Sequence, residues 1–285
     1  MAAALVVASK QWPLIGRYAT NATALIAKIK QFETTSANGL HILKPGDAFG
    51  GANCTNASYF SPAYYRFFAQ HSSVDAVFWN KLASDTYTMF NANAHSTTGL
   101  VSDWQKAEGT PGGGGCDVNY AFGSLRYSYD AARTPWRIMV DYLWWNSPVA
   151  KTYTDKVSDW VAGSLGGINY IKDGFKQDGT VVTGLYQNST FIGGFTVSAM
   201  GKSQNRVDSF TTTFKGLTAV NDPNYFNKTL RAIYMLVLTG NFWNPELWQF
   251  FYFLNSNAPL NLIWYAICQA VWPVHCPIFW FCYSN

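Results

Sequence analysis

The chain reads as an all-α protein built of paired helices, and three observations carry that reading. Apolar residues recur at helical spacing through most of residues 1–245. Ser61-Pro62 and Thr134-Pro135 stand where such segments begin, each offering a hydroxyl cap followed by a proline whose missing N–H is not needed there. Alternating apolar and polar runs are scarce, and Gly179–Leu185 is the one short candidate strand.

Taken in order, residues 2–11 form an apolar stretch that reads as the tail of a buried helix. Asn21–Gln31 is the next helix, with Ala24, Leu25, Ile26 and Ile29 on its apolar face. Residues 36–57 read as a loop rich in Gly and Asn, carrying Asp47 and Phe49. After Ser61-Pro62 a helix follows with Tyr64, Tyr65, Phe67 and Phe68, and residues 74–91 form an amphipathic one around Val77, Phe78, Leu82 and Tyr87. Residues 98–128 are a long loop; loops of that length in a compact domain are usually functional. Beyond it, helices are expected from Thr134, over Pro148–Ala162, Ser189–Met200 and Val207–Leu217, and over Tyr225–Thr239.

Composition excludes several classes. Charged residues make up 13% of the 285, against a usual ~25%, while aromatics reach 17% with 12 Trp. Such an excess of rings suits a bulky core, a cleft that stacks on sugar faces, or both. The net charge of +4 is modest and the cations are scattered, so no nucleic-acid partner is indicated. No H-E-x-x-H, CxxC or G-x-S-x-G is present, and Gly112–Gly115 lacks the Lys-Ser/Thr of a phosphate loop. No metal or organic cofactor is therefore implied. The five Cys leave a Cys54–Cys116 pairing open. Sequons stand at Asn21, Asn53, Asn56, Asn188 and Asn227, but in chains rich in Asn, Ser and Thr they arise by chance. The first ten residues lack the basic start and long apolar run of a signal peptide.

The stretch richest in chemistry is Tyr127–Asp141, Y-S-Y-D-A-A-R-T-P-W-R-I-M-V-D. Asp130 leads into a helix with Tyr129 beside it and Arg133 three residues on, an arrangement able to activate a water over a sugar ring. By spacing alone, an Asp there reads first as a cap or an ion-pair partner. Arg137 and Asp141 read as a structural pair along the same helix.

Further segments accompany it: L-K-P-G-D-A-F-G-G at Leu43–Gly51, S-Y-F-S-P-A-Y-Y-R-F-F at Ser58–Phe68 and T-G-L-V-S-D-W at Thr98–Trp104. S-T-F-I-G-G-F at Ser189–Phe195, Y-F-N-K-T-L-R from Tyr225 and L-T-G-N-F ending at Phe242 complete the set. Together, and in this order, they resemble glycoside hydrolase family 8, the endoglucanase family with an (α/α)6 barrel. The resemblance implies an incomplete (α/α)6 barrel over residues 1–245, missing roughly the first three helices, and an inverting endo-β-1,4-glucanase activity.

Carried over residue by residue, the resemblance makes Asp130 the general base, with Tyr129 and Arg133 positioning it and the water. Tyr225 is implied as a ring that stacks on a glucose face. Phe49 stands where the family usually carries Trp, so stacking there would be weaker. Asp103 and Trp104 match a D-W near the cleft, where substrate contact and structural support are both open. The family's proton donor, a Glu in an S-E-G-x-G-Y-G segment, has no counterpart: the chain's Glu are Glu33, Glu108 and Glu246. Hence the expectation of a β-1,4-linked polysaccharide as partner, with little turnover by this chain, and of a secreted or extracellular place of action. The alternatives are a non-catalytic β-glucan-binding remnant and a membrane-attached product of an altered gene. The last arises from residues 246–285, an almost uncharged aromatic tail that Pro259, Pro273 and Pro277 interrupt; membrane contact through it is the less favoured reading.

Overall fold

Helices pair in sequence order. The computed structural model describes residues 1–112, 126–182 and 186–245, and its helices are α1 (Ala2–Gln11), α2 (Arg17–Phe32), α3 (Pro62–His71), α4 (Ala76–Asn93), α5 (Thr134–Trp145), α6 (Pro148–Ala162), α7 (Ser189–Ser198), α8 (Gln204–Lys215) and α9 (Tyr225–Leu238). The chain divides into two compact units, Met1–Tyr234 and Met235–Asn285. In the first, α1 packs on α2, α3 on α4, α5 on α6 and α7 on α8. The odd-numbered members also pack in succession, α1 on α3, α3 on α5 and α5 on α7. An inner layer backed by an outer one is the helical-hairpin arrangement expected of an incomplete (α/α)6 barrel.

Sequence explains which helices lie inside. All ten residues of α7, STFIGGFTVS, are buried, as an uncharged helix apolar on every side requires. Outer α8, QNRVDSFTTTFK, buries only Phe210 and Phe214. The layers are tied by buried charge. Asp141 on α5 receives Arg66 Nε of α3 at 3.0 Å and the Tyr87 hydroxyl of α4 at 2.7 Å. It is thus not paired along its own helix with Arg137, whose Nη1 donates instead to Ser61 Oγ at 2.7 Å. Long side chains reach across helices more readily than a local spacing argument allows.

A further expectation is corrected. The segment 36–57 is not all loop: β1 (Thr34–Ala37) and β2 (Leu40–Leu43) form an antiparallel hairpin, turned by Asn38 (φ 53°) and Gly39 (φ 79°). Asn-Gly is the residue pair such a turn demands. At Gly179–Leu185 the described residues show an isolated bridge from Val181 to Phe175, while residues 183–185 lie outside them. A second short ladder joins β3 (Arg126–Tyr127) to β4 (Phe175–Lys176). Cys54 is disulfide-bonded; Cys116, most of the glycine run and the tail from 246 lie outside the described residues. Among the described residues no helix is long and apolar enough to cross a membrane. Asn56, Asn188 and Asn227 are buried, which removes three of the sequons from the surface.

One glycine lets the inner helices close on the candidate site. A Cβ at Gly194 of α7 would lie 2.7 Å from the carbonyl oxygen of Ala132. In an ordinary helix interior Gly→Ala gains about 1 kcal/mol. Here the sign should reverse: Gly194→Ala is expected to destabilise the protein by about 1–3 kcal/mol through overpacking. Thermal unfolding of the variant checks this, and an unchanged or raised melting temperature would contradict it.

Candidate active site around Asp130

Asp130 sits at the mouth of a short 3-10 turn, Ala131–Arg133, that runs straight into α5. Its backbone is helical (φ −71°, ψ −60°) and its side chain caps nothing. Thr134, expected as a cap, is already the first residue of α5, and its hydroxyl donates back to the Ala131 carbonyl at 2.7 Å. The carboxylate of Asp130 is instead ion-paired through Oδ1 with Arg133 Nη2. The Asp130 side chain keeps 22% of its surface exposed, enough to meet a water.

Rings enclose this pair. The Arg133 guanidinium lies 5.4 Å from the centroid of Tyr59 and 5.8 Å from that of Phe226, distances at which a cation is attracted to a ring. Tyr129 stands edge-on to Phe191 at 5.1 Å and to Phe226 at 6.1 Å. Its hydroxyl accepts from Asn188 Nδ2 at 3.2 Å and reaches Asp173 Oδ2 at 3.5 Å. Burial and the Asp173 charge push the Tyr129 phenol up, so it stays a neutral hydroxyl. Tyr59 and Tyr129 nevertheless remain more than a third exposed and available to a ligand.

Beneath the turn lies Asp103, only 3% exposed. Its Oδ1 accepts the backbone N–H of Ser128 at 2.9 Å and of Ala131 at 2.7 Å, the residues on either side of Tyr129-Asp130. Of the two roles open for Asp103, substrate contact does not fit this burial; support of the loop does. Desolvation pushes its carboxyl up to about 7; the N–H of Ala131 opposes this, the Asp130 charge adds to it, and the Ser128 N–H and Arg133 oppose it. Its Oδ2 is buried without a hydrogen-bond partner among the described residues.

The other expected residues are placed as follows. Trp104 is half-buried with its indole N–H enclosed and unpartnered among the described residues. Phe49 is 53% exposed on the segment after β2, its ring lying over Gly46, where a Cβ would come within 2.6 Å of Cε1. Tyr225 opens α9 with 81% of its surface exposed. The ring packed on Tyr129 and Arg133 is its neighbour Phe226, which sequence periodicity alone does not single out. Tyr59, Phe226, Asn188 and Asp173 join the site only through tertiary contact, although Tyr59, Asn188 and Phe226 all lie in or beside quoted motifs. An open depression of about 560 Å³ along α6 contains none of these residues. Of its lining charges, Lys202 pairs with Asp155 and Asp159. No cluster of His, Cys, Asp and Glu able to hold a metal occurs among the described residues.

Comparison with known proteins gives the family and the fold. The sequence model of "Glycosyl hydrolases family 8" matches residues 1–240. Endoglucanase 2 of Ruminiclostridium josui is 34% identical over 253 residues, covering 88% of this chain and 51% of that protein. Endoglucanase A of Acetivibrio thermocellus is also 34% identical over 253 residues, covering 86% and 49%. The chain thus spans about half the length of the curated relatives it matches. Among solved structures, a β-1,3-1,4-glucanase from Paenibacillus sp. X4 superimposes with a TM-score of 0.74 at 28% identity, over 85% of this chain and 65% of its own. A cold-adapted family 8 xylanase shares the fold at a TM-score of 0.69 and 20% identity, over 85% and 61%.

Asp103 yields a pH prediction. A carboxyl raised on folding binds its proton more tightly in the folded state, so its stabilising effect is greatest below the unfolded value of about 3.9 and fades as pH rises through about 7. The difference in melting temperature between the wild type and Asp103→Asn should therefore shift against the wild type between pH 4 and pH 8. A difference independent of pH over that range would contradict the assignment.

Proposed function

We propose that this chain, which belongs to glycosyl hydrolase family 8, binds β-1,4-glucan along its exposed rings and supplies the base of an inverting endo-hydrolysis. The observation that carries the reading is the Asp130 carboxylate, pinned by Arg133, partly open to solvent and surrounded by Tyr59, Tyr129 and Phe226. With Oδ1 held by the guanidinium, Oδ2 is the oxygen left to take a proton from water. That water attacks the anomeric carbon on the face opposite the leaving oxygen, and the product inverts. Rings stack on sugar faces through apolar C–H surface, so Tyr59, Tyr129 and the more exposed Tyr225 and Phe49 are the residues we assign to sugar binding. The names of the related endoglucanases support a glucan as the polymer for this chain. A polymeric substrate puts the place of action outside the cell.

The second carboxyl of an inverting pair stands about 6.5–9.5 Å from the base, leaving room for the water. Glu33 ends α2 and Glu108 lies in the loop ahead of residue 113, and neither lies in a segment like that of the family's proton donor. General acids contribute about 10²–10⁴ in rate. Residues 1–285 alone should therefore bind cello-oligosaccharides yet release reducing ends from soluble β-glucan more slowly than a complete family member by at least that factor. Asp130→Asn should abolish what remains. Residual hydrolysis that survives Asp130→Asn would overturn the base assignment, and brisk hydrolysis that the substitution abolishes would show that another group serves as acid.

A further inference from the structure

Asp103 does more than fill space beneath the site. We propose that Asp103 is the positioning residue of the catalytic base, gripping the Tyr129-Asp130 dipeptide through the N–H groups on both sides. The inference rests on the reading of Asp130 as the base.

The grip is two-pointed. One oxygen of Asp103 receives Ser128 N–H at 2.9 Å and Ala131 N–H at 2.7 Å, so the two residues between them are fixed at both ends. Asp103 is itself anchored, since its own N–H donates to the Arg126 carbonyl at 2.7 Å. Backbone strain is not needed to hold Asp130; a single buried acceptor spans its turn. The second oxygen, Oδ2, is enclosed with no donor among the described residues, which is the setting of a carboxyl that carries a proton.

Three charged or titratable groups among the described residues interact with Asp103. From the turn above come Asp130, which opposes its ionisation, and Arg133, which favours it. From β3 comes Tyr127, whose fully buried hydroxyl also feels Asp103 and likewise has no partner among the described residues. As pH rises through about 7 the clamp changes from a neutral acid to an anion. Its two N–H bonds then become charge-assisted and tighter.

The test is carbon-detected NMR of the Asp carboxyl signals of the full chain from pH 5 to pH 9, in the wild type, Asp103→Asn and Asp130→Asn. The Asp103 carbon should titrate near pH 7 in the wild type and at lower pH in Asp130→Asn, where the opposing charge is gone. The Asp130 carbon should show an inflection at the Asp103 midpoint in the wild type and none there in Asp103→Asn. A purely structural Asp103 would leave the Asp130 signal without that inflection, and an Asp103 that titrates in the ordinary carboxylate range overturns the proposal outright. Should Asp103→Asn fail to fold, the wild type and Asp130→Asn alone decide it. None of these signals needs turnover, so loss of the proposal is told apart from loss of the glucanase reading, which hydrolysis of β-glucan tests.

Discussion

One buried oxygen underlies the candidate site. Asp103 Oδ1 takes the two backbone N–H groups that bracket Tyr129-Asp130, and those donors would otherwise be left unpaired beneath the turn. With that acceptor in place, the 3-10 turn Ala131–Arg133 can bring Arg133 back onto the Asp130 carboxylate and then continue directly into α5. Without it, Asp130 would be one more acidic residue ahead of a helix. The same turn has to be approached from the other side by α7, which is why that helix carries glycine where it meets the Ala132 carbonyl. The inner helices, the buried acceptor and the ion pair therefore form one mechanical unit.

Much of this was legible in the sequence, and what was not has a physical reason. Proline at the first turn of α3, α5 and α6 marked their starts correctly, because its missing N–H and fixed φ are local properties. Partners of long polar side chains were not legible. Asp141 finds Arg66 and Tyr87 on other helices rather than Arg137 on its own, and nothing local announces that. The β1–β2 hairpin was announced by Asn38-Gly39 and passed over because a Gly- and Asn-rich segment reads as loop by composition. At the site, Asp130, Tyr129 and Arg133 were found together because they are close in sequence. Tyr59, Asn188 and Asp173 came from distant segments and needed the fold to be seen. For Asp103 the residue was picked out but its role was left open, since burial, not identity, separates a ligand contact from a support.

Family membership and half-length coverage together frame the chemistry. Inverting hydrolysis is a two-carboxyl reaction, and on the proposed reading Asp130 is the one that serves as base. Asp130 is ion-paired, its turn is supported from below by Asp103, and rings stand beside it. On the proposed reading, stacking on the rings and the ion pair do not depend on the acid. Binding and turnover are thus separable here, and binding speaks to the geometry more directly.

The measurement that bears most directly on the central claim is therefore where a glucan lands. Titration of the isotopically labelled chain with cellohexaose, followed by backbone and side-chain shift changes, maps the contact residue by residue. The account places the largest changes at Tyr59, Tyr129, Asp130 and Arg133. Changes confined to the depression along α6, or none at any of those four, would contradict it.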